Sequence, residues 1–286
     1  MRTLVFGGTG IVGRALVQEG RSRGWPVLGV SHGQGDISDP VRVADLCRSF
    51  QPQLIVNCAA FTKVDLCEAE PKRAMEINGA AVSVLLSAAA SCGARLIHLS
   101  TDYVFDGTGG KPYSEAHPTA PRSVYGASKL RGEEIALSAS NALVVRTSWV
   151  FGAGGANFVD TIASRMRGGQ RSFRVVDDQV GAPTFAPFLA RAVSDLGEWG
   201  TAGLVHFQNR PVVSWFEFAL AIARELAREV GEIEIVPIPT AEALRPAPRP
   251  AYSVLAVEHF EQLAGRAVEP WQEGLAQYLG HRPRSV

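Results

Sequence analysis

The chain has 286 residues, enough for one large α/β unit or two modest lobes, with a core that needs neither disulfides nor a structural metal. Its 28 Lys and Arg balance 28 Asp and Glu, which argues against a nucleic-acid binder, with its basic excess, and against a polybasic membrane anchor. A composition 46% hydrophobic and 20% charged excludes intrinsic disorder.

Met1 and Arg2 lead straight into the apolar run Thr3 to Phe6, with no separate apolar region and cleavage site. The four cysteines are scattered without a CxxC pair, and the six histidines lack ligand spacing. A cytoplasmic protein with reduced, buried thiols and no metal is expected. Leu4 to Phe6 reads as a short strand, Ile11 to Arg23 as a helix, and Pro26 to Val30 as a second strand. A helix follows at Val41 to Phe50, then a strand at Leu54 to Val56 and a long helix at Glu68 to Ser91. The uncharged stretch Ile77 to Ala94 is broken by Asn78, Gly79, Gly93 and serines, and reads as a buried helix rather than a membrane span. Leu96 to Leu99 is a strand, Val124 to Ser138 a helix and Leu143 to Val145 a strand. Continuous apolar strands alternating with helices predict a doubly wound parallel α/β sheet of Rossmann type. Beyond Phe151 helices are expected at Phe158 to Arg167, Ala186 to Leu196 and Trp215 to Glu229, with strands at Arg174 to Val176 and Leu204 to His206. Prolines crowd Pro237 to Pro250, which reads as loop. Residues 1–150 form the expected dinucleotide-binding domain. Residues 151–286 form a smaller, mainly substrate-binding lobe packed on it, with room for segments that return to the first core.

The run Gly7-Gly8-Thr9-Gly10-Ile11-Val12-Gly13 links the first strand to the first helix. A turn without side chains lets backbone approach a pyrophosphate, and the helix N-terminus supplies free N–H groups. The second strand ends Val30-Ser31-His32-Gly33, without the carboxylate that would repel a 2′-phosphate. NADPH is therefore expected, with NADH use left open; His32 and Arg14 stand as candidate phosphate partners, and Asp36-Ile37 as a bracket for the adenine. Tyr125 and Lys129 are spaced to share one helix face. A cation there is expected to lower the tyrosine pKa, fitting a phenol that protonates the oxygen formed by hydride addition to a ketone. Ser100-Thr101-Asp102 sits at a strand end, where open parallel sheets bind ligands, and small residues at Cys58 to Ala60 leave room for a cofactor.

Together these motifs resemble the dTDP-4-dehydrorhamnose reductase family of extended short-chain dehydrogenases. The likeness rests on Gly7 to Gly13, Val56 to Asp65, Ser100 to Gly107, Tyr125 to Lys129, Arg146 to Gly152, Asn157 to Val159, Val176 to Thr184 and Arg249-Pro250 with Ser253 and Leu255. The resemblance implies reduction of the 4-keto group of a dTDP-linked 6-deoxysugar, giving dTDP-L-rhamnose. It implies Thr101, Tyr125 and Lys129 as the catalytic trio. It brings Gly10, Ile11, Val12, Asp36, Ile37, Ala60, Phe61, Thr62, Tyr125 and Lys129 to the cofactor. Thr101, Asp102 and Trp149 meet the sugar, and Arg249 approaches the diphosphate. Ala15 stands where some members carry a Glu of a metal-bridged dimer, so no metal is expected and a homodimer is left open; Phe61 and Phe151 replace commoner tyrosines. Two alternatives stand beside this reading: a 4-ketoreductase for another nucleotide deoxysugar, and a regulatory subunit resembling the partner of methionine adenosyltransferase.

Overall fold

A computed structural model describes residues 1–280 of the chain. The first half runs β1 (Thr3–Phe6), α1 (Ile11–Ser22), β2 (Val27–Val30), α2 (Pro40–Phe50), β3 (Leu54–Asn57), α3 (Val64–Ala69), α4 (Pro71–Ala74), α5 (Ala81–Cys92), β4 (Arg95–Thr101), α6 (Val124–Leu137) and β5 (Leu143–Thr147). The second half runs β6 (Val150–Phe151), α7 (Phe158–Arg167), β7 (Ser172–Val176), β8 (Val180–Gly181), β9 (Thr184–Phe185), α8 (Ala186–Glu198), β10 (Gly203–His206), β11 (Val213–Ser214), α9 (Trp215–Val230), β12 (Glu234–Ile238), α10 (Glu258–Ala264) and α11 (Trp271–Gly280).

Six strands form one sheet in the order β10-β5-β4-β3-β1-β2, and every pairing in it is parallel. The chain steps from β1 to β2 on one side and to β3 on the other, so the switch point lies between β1 and β3, where open α/β sheets take their ligands. Alternate side chains enter opposite cores. Val5, Leu54, Val56, Ile97, Leu99, Leu143 and Val145 join one cluster, whereas Leu4, Phe6, Ile55, Leu96 and Val144 join the other. Both faces are apolar, which accounts for strands that read as continuous hydrophobic runs. Helices α1 and α8 pack together on the first side, and α2, α5 and α6 cover the second.

The expected helix Glu68 to Ser91 is in fact broken. Glu70 leaves helical geometry at φ −122°, ψ 56°, and Pro71 opens a new helix at the position where its missing N–H costs nothing. A π-turn then spans Met75–Ala80, carrying Asn78 and Gly79 into the interior before α5 resumes. The helical stretch Pro71–Cys92 is long and apolar enough to cross a membrane by length and composition. Here Ala81, Val82, Leu85, Ala88 and Ala89 bury themselves against the sheet.

The second half departs further from expectation. Arg174 to Val176 lies within β7, which pairs in parallel with β12 in a separate two-stranded sheet. That pairing carries Pro237 into a strand rather than a loop, tolerated because a two-stranded sheet leaves one side of each strand unpaired. Leu204 to His206 lies in β10, which returns to the central sheet beside β5. Two further sheets pair two-residue strands, β6 with β9 and β8 with β11. The sequence reading did not include these strands, nor α10 and α11. The end of the expected substrate lobe, residues 281–286, lies outside the described residues.

Candidate active site

The site begins at the carboxyl end of β1. Gly7 sits at φ +73°, and a Cβ there would lie 2.7 Å from the Ala59 nitrogen. A Cβ on Gly8 would meet the Gly29 Cα at 2.6 Å, and one on Gly13 the Gly7 carbonyl at 2.1 Å. The turn is therefore pressed between β2, β3 and the first turn of α1, and only backbone lines it. Gly10 caps α1 with no side-chain hydrogen bond, which leaves the N–H groups of Ile11, Val12 and Gly13 without an intrahelical partner. Such a cradle suits a phosphate. At the end of β2, His32 is exposed and the Asp36 carboxylate accepts from Ser38 N at 2.9 Å and Ser38 Oγ at 2.7 Å. Those Ser38 bonds hold its pKa below the usual carboxylate range. Ile37 is buried in the core, and Arg14 reaches toward Gly154 rather than toward β2.

The loop after β3 is held by two asparagines. Asn57 Oδ1 accepts from Ala59 N at 3.0 Å. Asn78, aimed inward by the π-turn, accepts from Phe61 N at 2.7 Å and donates to Phe61 O at 3.0 Å and to Ser128 Oγ at 3.0 Å. Asn78 thus ties the segment Ala60-Phe61-Thr62 to α6 in the turn that carries Lys129. The sequence reading treated Asn78 only as a break in an apolar run. A polar amide inside such a run is itself a signal, because burial demands partners for it.

Thr101 closes β4, and the following turn starts from it. Its hydroxyl accepts from Tyr103 N at 3.2 Å and donates to Asp102 Oδ1 at 2.9 Å. Ser123 caps α6 by accepting from Gly126 N, which sets Tyr125 in the first turn and Lys129 one turn on. Thr101 and Tyr125 are within hydrogen-bonding reach of each other. Tyr103 meets the Tyr125 ring edge-on at 5.5 Å. The Tyr125 pKa is raised, not lowered as the motif alone led us to expect. Burial of the phenol outweighs the opposing Thr101 hydrogen bond, and Asp102 pushes the same way as burial. Lys129 points its Nζ away to Leu99 O at 2.6 Å and His98 Nε2 at 3.2 Å. Burial also pushes the Lys129 pKa down to about 8 and the Asp102 pKa up to about 6. Ser253 lies beside Asp102 and opposes that rise, and the Ser100 hydroxyl is buried without a hydrogen-bond partner.

The second half contributes two further pieces. Trp149 follows β5 in a left-handed conformation, φ +47°, which costs energy for a bulky residue. Its indole stacks on Trp215 with centroids 3.5 Å apart and planes 7° from parallel. A Cβ on Gly181 would meet the same indole at 2.6 Å. Trp215 opens α9, whose start is set by a capping box of Ser214 and Glu217. The sequence reading had it only as the first residue of a helix. Arg249 holds Asp65 with both guanidinium ends, at 2.6 and 3.0 Å, and borders a cavity of 240 Å³ with Tyr103, Arg122, Ser123 and Thr240. The Arg249 contact holds the Asp65 pKa below its usual range. Asp65 was not singled out as a partner, because 184 residues separate the two.

Residues 1–282 match a family model described as the RmlD substrate binding domain. The spore coat polysaccharide biosynthesis protein SpsK of Bacillus subtilis is 39% identical, over 98% of either chain. A dTDP-4-dehydrorhamnose reductase of Streptomyces griseus is 38% identical over 96% of this chain and 92% of its own. The crystal structure of the dTDP-4-dehydrorhamnose reductase of Bacillus anthracis in complex with NADP superposes with a TM-score of 0.92, at 32% identity, over 98% of this chain and 99% of that one. Fold, glycine cradle and family model agree along almost the whole length, and the chain belongs to the dTDP-4-dehydrorhamnose reductase family.

Proposed function

We propose that this protein uses NADPH, or NADH less readily, to reduce the 4-keto group of dTDP-4-dehydrorhamnose, giving dTDP-L-rhamnose in the cytoplasm. The observation that carries the reading is the convergence of the Thr101 hydroxyl, the Tyr125 phenol and Lys129 at one strand end. That strand end lies beside the backbone cradle of the β1–β3 switch point. Residues 1–150 hold the cofactor in this proposal, and residues 151–286 mainly hold the sugar nucleotide.

The cradle at Gly7, Gly10, Ile11, Val12 and Gly13 fits a dinucleotide pyrophosphate, because Gly7 and Gly13 let the turn and the first turn of α1 pack backbone to backbone, where a side chain would collide. The NADPH preference follows from the end of β2. No carboxylate stands at Ser31 to Gly33, and Asp36 accepts both Ser38 bonds at Oδ1. Ala60, Phe61 and Thr62 form the cofactor's other wall, held by Asn78. When bound, the nicotinamide supplies a hydride to C4. Tyr125 remains protonated at neutral pH because burial raises its pKa, and it delivers that proton to the C4 oxygen. Thr101 holds the same oxygen by a hydrogen bond, and Lys129 stabilises the phenolate left behind and orients the cofactor's ribose. Asp102, ionised above about pH 6, accepts from a sugar hydroxyl. Trp149 offers an apolar face or edge to the sugar, and Arg249 exchanges part of its hold on Asp65 for a phosphate oxygen.

A coupled assay tests the reading. Dehydratase and epimerase generate the 4-keto sugar from dTDP-glucose, and cofactor oxidation is followed with NADPH or NADH while NMR identifies the product. dTDP-L-rhamnose formed faster with NADPH is the expected outcome. A different dTDP-deoxyhexose keeps the chemistry and moves the substrate. No oxidation of either cofactor by protein that binds them overturns the reading.

A further inference from the structure

The NADPH preference proposed above rests on a missing carboxylate, and the lack of a repelling charge does not by itself hold a phosphate. Of the cations weighed for that task, Arg14 turns toward Gly154, and His32 is exposed with its Nδ1 3.8 Å from Asp36 Oδ2. Another cation reaches the loop after β2 from the next helix. Arg42 lies in the first turn of α2, and its Nε donates to the Gln34 carbonyl at 2.8 Å. Gln34 is itself fastened to the end of β2. Its side-chain oxygen accepts from Ser31 N at 3.1 Å and from Ser31 Oγ at 3.0 Å, and its backbone N–H donates to Ser31 O at 3.1 Å. The loop is pressed onto the core at Gly35, where a Cβ would lie 2.9 Å from Val30 Cγ2. The same strand end touches the glycine cradle, since Gly8 N donates to Val30 O at 2.8 Å. Arg42 is therefore tied to the place beside the cradle where a sheet of this kind takes the adenosine ribose.

We infer that Arg42 binds the 2′-phosphate of the cofactor, so that this chain selects NADPH with a guanidinium carried on α2 and held in place by the Gln34 carbonyl. The inference rests on the NADPH preference of the proposed function and supplies its attractive half. Arg42 has the valence for it. One N–H is spent on Gln34, and among the described residues no hydrogen bond or ion pair occupies Nη1 or Nη2. Those two nitrogens form the planar fork that matches two phosphate oxygens. Arg48, further along the same helix, is by contrast paired with Asp45. The acids closest to Arg42 on the loop are turned elsewhere. Asp36 Oδ1 accepts from Ser38, and Asp39 Oδ1 accepts from the backbone N–H groups of Val41 and Arg42 at 3.0 Å each. Asp39 thereby takes the N–H groups that α2 itself would offer an anion, which leaves the Arg42 side chain as the donor. Helix stability does not account for this arginine, because a cation in the first turn faces the positive end of the helix dipole. The 2′-hydroxyl of NADH is a neutral acceptor and gains far less from the same fork.

Binding decides the matter without turnover. Titration calorimetry on the full chain gives Kd for NADP⁺ and for NAD⁺ in the wild type, Arg42→Ala and Arg42→Lys, all at one ionic strength. The wild type should bind NADP⁺ the tighter of the two. Arg42→Ala should raise Kd for NADP⁺ by about tenfold, the scale of one lost hydrogen-bonded charge contact, and leave Kd for NAD⁺ within about twofold. Arg42→Lys keeps the charge without the fork and should recover part of the loss. Added salt should weaken NADP⁺ binding more in the wild type than in Arg42→Ala, because only the wild type retains the ion pair. An unchanged Kd for NADP⁺ in Arg42→Ala overturns the inference, and so does an equal loss for both cofactors, which is what a merely structural arginine would give. The two readings fail separately. A wild type that binds NAD⁺ as tightly as NADP⁺ sinks the NADPH preference and this inference with it. A wild type that prefers NADP⁺, with that preference intact in Arg42→Ala, sinks the assignment of Arg42 alone.

Discussion

The glycine turn after β1 and the tryptophan corner after β5 both stand at carboxyl ends of parallel strands in one sheet, yet they are assembled on opposite terms. At the turn, seven consecutive residues supply the lining, all of it backbone, and β2 and the loop after β3 only press against it. At the corner, Trp149 depends on Gly181 and Trp215, drawn from β8 and the start of α9. The first arrangement is written in local spacing. The second exists only after β8 has paired with β11 and α9 has docked. A site can thus combine a cofactor surface that short-range sequence dictates with a substrate surface that long-range packing dictates. The proposed proton-transfer group between them, Thr101, Tyr125 and Lys129, draws on both kinds of information: spacing along α6, and the burial that sets the proton affinities.

Four measurements would break or sharpen this contrast. The largest effect belongs to Tyr125→Phe, which removes the proton donor while leaving the cradle intact. Turnover should fall by about 10²- to 10⁴-fold with cofactor affinity nearly unchanged. Near-normal turnover would mean that the local motif does not carry the chemistry. Next is Gly13→Ala, whose Cβ would lie 2.1 Å from the Gly7 carbonyl. The first turn of α1 must then move off the sheet. Cofactor affinity measured by titration calorimetry should drop by at least about tenfold, with a stability loss on the order of 1–3 kcal/mol. Unaltered affinity would show that the turn is only a structural corner.

Asp102→Asn comes third and is read as stability against pH. Burial raises this acid from 3.8 to about 6 in the folded chain, so the folded state keeps a proton that the unfolded state releases between those values. Stability therefore falls as pH rises through that window, and it is not regained at higher pH. The amide variant should match the wild type below about pH 4 and exceed it above about pH 6, by on the order of 1–3 kcal/mol. Thermal melts across that range, showing parallel curves for the two proteins, would contradict the buried carboxylate. The smallest effect is expected for Trp215→Ala. It leaves one face of Trp149 uncovered at the far side of the site, so KM for the sugar nucleotide should rise about fivefold with kcat little changed. A fall in kcat of the same size, with KM constant, would move Trp215 from the substrate surface to the reacting centre.

Parts of the molecule that are continuous in sequence were legible there. The parallel sheet followed from apolar strands alternating with helices, since strands covered on both faces lose their polar alternation. Gly7 to Gly13 and the Tyr125–Lys129 spacing were legible for the same reason: each is a short segment whose geometry depends on its own residues. The break at Pro71 was also within reach, but the apolar run that follows it concealed the π-turn. That turn is stabilised only because Asn78 finds Phe61 and Ser128 across the fold. The strands β6, β8, β9 and β11 are two residues long and carry no periodicity at all.

By itself, the sequence determined the doubly wound core, the glycine turn between the first strand and the first helix, the Tyr125–Lys129 spacing and the lack of a carboxylate at Ser31 to Gly33. These are matters of spacing and residue type, and spacing along a strand or helix maps directly onto direction in space. Only the tertiary structure decided that Trp149 meets Trp215, that Arg249 meets Asp65, and that Tyr125 is pushed up in pKa while Lys129 is pushed down. Those outcomes depend on which atoms exclude water and which distant side chains arrive at hydrogen-bond distance, and neither is a property of neighbours in the chain.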